Sequence, residues 1–94
     1  DIGDHSTLTN STAISNTGQG ARVGSTCSVA SNTFRLNGAA SDSAGLWIQG
    51  NGNRVESNDM TGNDWGLWVD GTDNIIIRNS ARANTIANYG AVAA

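Results

Sequence analysis

Residues 45–84 read GLWIQGNGNRVESNDMTGNDWGLWVDGTDNIIIRNSARAN, and one pattern occurs twice within them. Gly45-Leu46-Trp47-Ile48 returns 21 residues later as Gly66-Leu67-Trp68-Val69, and Asn58 and Asn63 return at the same interval as Asn79 and Asn84. Working outward, Leu8, Val29, Val55 and Ile76 are spaced by 21, 26 and 21 residues. Three more columns keep the same step: Ser11, Asn32, Asn58, Asn79; then Ala13, Phe34, Met60, Ala81; then Asn16, Asn37, Asn63, Asn84. The unit is φ-x-x-Asn-x-φ-x-x-Asn, with φ apolar, followed by Gly-φ-x-φ. The latter also occurs as Gly20-Ala21-Arg22-Val23 and, more weakly, as Gly90-Ala91-Val92-Ala93. Between the second Asn and this Gly lie steps of 4, 8, 3 and 6 residues, so most of the length variation falls in one connection.

Such a repeat explains a composition that otherwise fits poorly. Only 17 of 94 residues are Leu, Ile, Val or Phe, too few for an ordinary packed core. Disorder fits no better, because proline and lysine are absent, glutamate occurs once and the net charge is only −3. Asn, Gly, Ser and Thr make up nearly half the chain, which indicates many turns and short extended pieces. The mildly acidic balance, with no basic run, gives no footprint for nucleic acid, and no apolar run approaches a membrane span. Cys27 is the single cysteine, so no internal disulfide forms and the redox compartment is left open.

Gly-φ-x-φ alternates like a strand, each unit offers three short extended pieces, and no segment has capped helical periodicity. Three strands per turn of about 21 residues predict a right-handed parallel β-helix of about four coils, each strand pairing with its counterpart one coil along at about 4.8 Å. A coil then needs few inward residues, here Val55, Met60, Leu67 and Val69, because stacking makes the core continuous. The two Asn columns are read as structural corners. Their side chains satisfy turn backbone and bond from coil to coil as an asparagine ladder.

The stretch 45–84 carries a resemblance to the right-handed parallel β-helix superfamily that includes pectate lyases. Within it, the likeness is to secreted, periplasmic or cell-surface bacterial proteins built from degenerate β-helix repeats. It extends over residues 6–93 and implies a fold and an exported location, without an activity. In the lyase- and hydrolase-type members of that superfamily the corresponding strand and its preceding loops form the carbohydrate groove, so the resemblance implies that a sugar would bind there.

In that strand the residue between the two inward φ positions faces out, giving the column Arg22, Trp47, Trp68 and Val92. Beside it runs Gly24, Gln49 and Asp70, and Trp65 lies in the flanking connection. Tryptophans one coil apart can stack, with Arg22 over the first ring. Arg22, Trp47, Gln49, Trp65, Trp68 and Asp70 are therefore the candidate site, open to two readings: polysaccharide contact, or self-association and contact with other chains. Hydrolysis would need two carboxylates, and only Asp64 could accompany Asp70. A lyase would want an Arg or Lys base among clustered acids. Arg22 and Arg54 are available, but the acids are scattered. The expectation is a non-catalytic structural or recognition segment without cofactor or metal. The alternative is the scaffold portion of a polysaccharide lyase or glycoside hydrolase.

Asp70-Gly71-Thr72-Asp73-Asn74 reads as a turn, since it lacks the spacing of known calcium loops. His5 reads as a surface residue, Cys27 as a small buried corner residue, and Asn10-Ser11-Thr12 as a sequon. Ile75 and Ile77 flank inward Ile76 and should face outward on the last full coil, unless the register there is shifted by one, which would exchange the buried and exposed residues. No polar cap is evident at either end, so a piece of a longer solenoid, or one chain of an assembly, is expected.

Overall fold

A computed structural model describes residues 2–38 and 43–90. Numbered in chain order, the strands fall into three parallel sheets. The first orders β1 (Thr7–Thr9), β4 (Ser28–Ala30), β7 (Arg54–Glu56) and β10 (Ile75–Ile77). The second orders β2 (Thr12–Ile14), β5 (Thr33–Arg35), β8 (Asp59–Thr61) and β11 (Ser80–Arg82). The third orders β3 (Ala21–Val23), β6 (Ala44–Ile48), β9 (Trp65–Val69) and β12 (Ala87–Gly90). No helix occurs among the described residues. The chain is thus an all-β parallel solenoid of about four coils with three strands per coil.

The register follows the sequence columns. Leu8 pairs with Val29, Val29 with Val55 and Val55 with Ile76; Ala13, Phe34, Met60 and Ala81 pair likewise. Val29, Phe34, Val55, Met60, Leu46, Leu67, Ile48 and Val69 are all at most 1% exposed and form one continuous core. Ile75 and Ile77 pair with Arg54 and Glu56 as expected; Ile75 is 49% exposed and Ile77 half-buried.

Each corner is built from two residues. The first adopts a left-handed backbone: His5, Thr26, Gly52, Asp73 at one corner, Asn10, Ser31, Ser57, Arg78 at the next, and Ser15, Leu36, Gly62, Ala83 at the third. The second residue is the ladder position. Asn58 shows the full pattern: its Oδ1 accepts from the backbone N and Nδ2 of Asn32, each at 3.0 Å, and its Nδ2 donates to Val29 O at 3.0 Å and Asn79 Oδ1 at 2.9 Å. Two lone pairs and two protons are all used, which is the capacity of a primary amide. Asn63 repeats this between Asn37, Phe34 and Asn84.

A third ladder runs through the corner of Cys27. Cys27 N donates to Asn53 Oδ1 at 2.8 Å, and Asn53 N and Nδ2 donate to Asn74 Oδ1. The buried Cys27 thiol lies 3.0 Å from Gly3 O, which bears out its reading as a corner residue. Outside these, a fourth polar column links coils by backbone-to-side-chain bonds: Ser25 N to Asp4 Oδ1, Asn51 N to Ser25 Oγ, and Thr72 N to Asn51 Oδ1. Asp73 takes the left-handed corner and Asn74 the ladder, so residues 70–74 form a turn of the stack.

A left-handed conformation costs a residue with a Cβ about 1 kcal/mol or more, and asparagine tolerates it best. Leu36, at φ 56° and 53% exposed, is a bulky residue in this conformation. Leu36→Asn is expected to raise stability by about 1 kcal/mol, read as a higher melting temperature with the β-sheet circular dichroism unchanged.

The glycine of Gly-φ-x-φ is required by the third-corner ladder. A Cβ on Gly45 would stand 2.5 Å from Asn63 Nδ2 and one on Gly66 2.7 Å from Asn84 Nδ2, with Gly20 set the same way against Asn37. The last unit departs from the expected alignment. Tyr89 pairs with Leu67 and Gly90 with Trp68, so the position assigned to Val92 is held by Gly90. The reason is steric: a Cβ at Gly90 would come within 2.5 Å of Trp68 Cε3 and 2.6 Å of Trp65 Cε3, so only glycine lets those rings lie against the strand. Residues 91–93 of that unit lie outside the described residues.

Candidate functional site

The outward face of the third sheet carries a groove of about 550 Å³ lined by Gln19, Ala44, Trp47, Trp65, Trp68 and Asp70. Two columns build it. Trp47 and Trp68 are paired across β6 and β9, each flanked by inward core residues that hold the backbone in place. Ala44 pairs with Trp65 at the start of the same strands, and Gln19 immediately precedes Gly20 as Ala44 precedes Gly45. Ala44 is small, and the space a larger side chain would fill opposite Trp65 is left to the groove.

Asp70 follows β9 directly and is fixed by its backbone N donating to Ile48 O at 2.9 Å. Its Oδ2 accepts from Trp47 Nε1 and its Oδ1 from Trp68 Nε1, both at 2.7 Å. Hydrogen bonds to an ionised acceptor are short and about twice as strong as neutral ones. Trp65 meets Trp68 edge-on, with ring centroids 4.7 Å apart and planes at 81°. The tryptophans of successive coils are therefore joined through a carboxylate, with the edge-to-face contact formed inside a single coil. All three rings are half-buried, leaving part of each to solvent.

Four of the six expected site residues, Trp47, Trp65, Trp68 and Asp70, line this groove. Arg22 is paired with Trp47 in the column, exposed and outside the lining, while Gln49 is exposed and anchored by its backbone N to Val23 O. Gln19 and Ala44 were not expected. The signal for them is in the repeat, since Gln19, Ala44 and Trp65 each stand one residue before the motif glycine.

The remaining candidates are placed elsewhere. Asp64 lies outside the lining, and its backbone O accepts from Ile86 N at 2.8 Å. Arg54 pairs with Glu56 at 3.1 Å on the first sheet. That hydrogen bond holds the Glu56 carboxyl below its ordinary value against the opposing effect of burial, with smaller help from the charges of Arg54 and Arg78. His5 is an exposed left-handed corner residue. Among the described residues no three His, Cys, Asp or Glu side chains gather in a way that could hold a metal ion.

Fold and groove together define the chain as a parallel β-solenoid bearing a tryptophan-lined groove on one sheet. It matches no protein-family model, no curated protein and no solved structure.

Proposed function

We propose that this solenoid is a non-catalytic recognition segment of an exported protein and that it contacts carbohydrate through the tryptophan groove. The observation that carries the reading is the bridge from Asp70 to Trp47 and Trp68, which holds two half-exposed indoles as a fixed platform. Sugar rings have one apolar C–H face and a rim of hydroxyls. An aromatic platform edged by an amide and a carboxylate is complementary to both. The groove volume of about 550 Å³ falls within the range of small-ligand sites, about 300–1,000 Å³. Membership of the pectate-lyase-like superfamily and a bacterial, secreted or surface location belong to the same proposal, and rest on the likeness of residues 45–84.

The enzyme reading has less support. Both oxygens of Asp70 are engaged by indoles, and among the described lining residues no second acid stands beside it to form a catalytic pair.

Trp68→Ala tests the proposal against self-association. Truncating a central aromatic anchor is expected to weaken retention on a glycan gel by about tenfold or more, with the mass by light scattering unchanged. Dissociation of an oligomer on the same substitution, with no effect on glycan retention, would assign the face to chain–chain contact instead.

A further inference from the structure

We infer that Asp70 is the positioning residue of the groove and that its charge selects uncharged saccharides; the ligand half of this inference rests on the carbohydrate reading above. One carboxylate holds the indoles of two successive coils, each at 2.7 Å, and so sets the rings of β6 and β9 relative to one another. Trp65, edge-on to Trp68, is set by the same bond at one remove. An indole has a single N–H proton. Trp47 and Trp68 have given theirs to Asp70, and they offer a ligand only ring faces. Among the described lining residues, polar contact is left to Gln19, to the indole N–H of Trp65 and to the remaining lone pairs of Asp70, which accept from sugar hydroxyls. Rings ordered before binding also spare the ligand the cost of ordering them.

The same carboxylate decides the charge of the ligand. Among the described groove-lining residues Asp70 is the one charged side chain, beside Gln19, Ala44 and three tryptophans. A uronic or sulfated sugar seated on the rings would bring a second negative charge next to Asp70, with no cation among the described lining residues; Arg22, paired with Trp47 one coil away, stands outside that lining. At contact distance in a partly wet groove, that repulsion corresponds to about a tenfold loss of affinity or more. Because Asp70 is exposed, the discrimination should shrink as salt is added.

The test begins without any ligand, on the parent chain, Asp70→Asn and Trp47→Phe. In indole ¹H–¹⁵N spectra the Asn variant, which offers one acceptor oxygen and a competing donor, is expected to shift at least one of the two indole resonances toward the free-indole position. Its near-UV circular dichroism should weaken while the far-UV β signal is kept. Trp47→Phe should delete one resonance and leave that of Trp68 in place. Indole resonances unmoved in Asp70→Asn would overturn the positioning role, whatever the groove binds.

Titration calorimetry at low salt then compares uncharged hexasaccharides of β-glucan, xylan and mannan with hexagalacturonate. The parent is expected to bind at least one uncharged oligomer at least tenfold more tightly than the acidic one. Asp70→Asn should narrow that ratio at least threefold, and Trp47→Phe, which keeps the charge, should preserve it. Equal or tighter binding of hexagalacturonate by the parent would overturn the charge selection. Binding of none of them, with the indole shifts intact, would overturn the carbohydrate reading and the selection together while upholding the positioning role.

Discussion

Replacing Asn58 by alanine is expected to lower the stability of the stack by about 4 kcal/mol, taking about 1–3 kcal/mol for each buried polar group left unpaired. Asn58 is 2% exposed, and its amide serves Asn32 N, Asn32 Nδ2 and Val29 O, while Asn79 Oδ1 would keep its bond from the backbone N of residue 58. Asn32, also 2% exposed, has little access to water as a substitute. Because each coil bonds mainly to its neighbours, a break at the third of four coils separates the last coil from the first two. Urea titration followed by circular dichroism should show the loss as a lower midpoint, and a variant within 1 kcal/mol of the parent would deny the ladder its structural role.

Asn58→Asp extends the test to pH. The new carboxylate could not donate to Val29 O or Asn79 Oδ1 and would face their lone pairs, so folding raises its pKa above the unfolded value of about 3.9. A group whose pKa is raised on folding contributes stability that is fully present below the unfolded pKa and is lost as pH rises through the folded one. This variant is therefore expected to melt higher at pH 3 than at pH 7 relative to the parent at each pH.

Gly45→Ala is the second large effect. The added Cβ would stand 2.5 Å from Asn63 Nδ2 and 2.8 Å from its Cγ, and Asn63 is 0% exposed with its four bonds made. The amide cannot retreat without giving up those bonds. Overpacking at about 1–3 kcal/mol and a disturbed buried amide at a similar cost together give about 3–4 kcal/mol. Gly18→Ala is the control, since nothing lies within 4 Å of a Cβ there. That change should leave stability the same or raise it by up to about 1 kcal/mol by narrowing the unfolded ensemble. Equal melting temperatures for the two alanine variants would contradict the interlock of glycine and ladder.

The strand columns and two of the corners were legible because they repeat an apolar residue or Asn in every coil, Ser11 excepted, and such a column keeps its period through a five-residue insertion. The third ladder was not, because Ser6 and Cys27 occupy its first two positions and only Asn53 and Asn74 show the amide. The left-handed column beside each ladder holds residues as different as His5, Leu36, Arg78 and Gly62, so backbone geometry there leaves no compositional trace. In the groove, the tryptophans were visible as a column, but the role of Asp70 depends on two side chains from different coils turning toward one carboxylate. The last unit misled because Gly90 matches the motif glycine by type, while its structural task is to admit the rings of Trp65 and Trp68.

Acrylamide quenching of tryptophan fluorescence in the native assembly, with and without an uncharged hexasaccharide, tests the open groove most directly. Trp47, Trp65 and Trp68 are expected to be quenched in the free protein, as half-buried rings should be, and protected when the saccharide is added. Tryptophans already shielded in the free assembly and indifferent to saccharide would contradict the open groove, and would make it a surface covered by another chain.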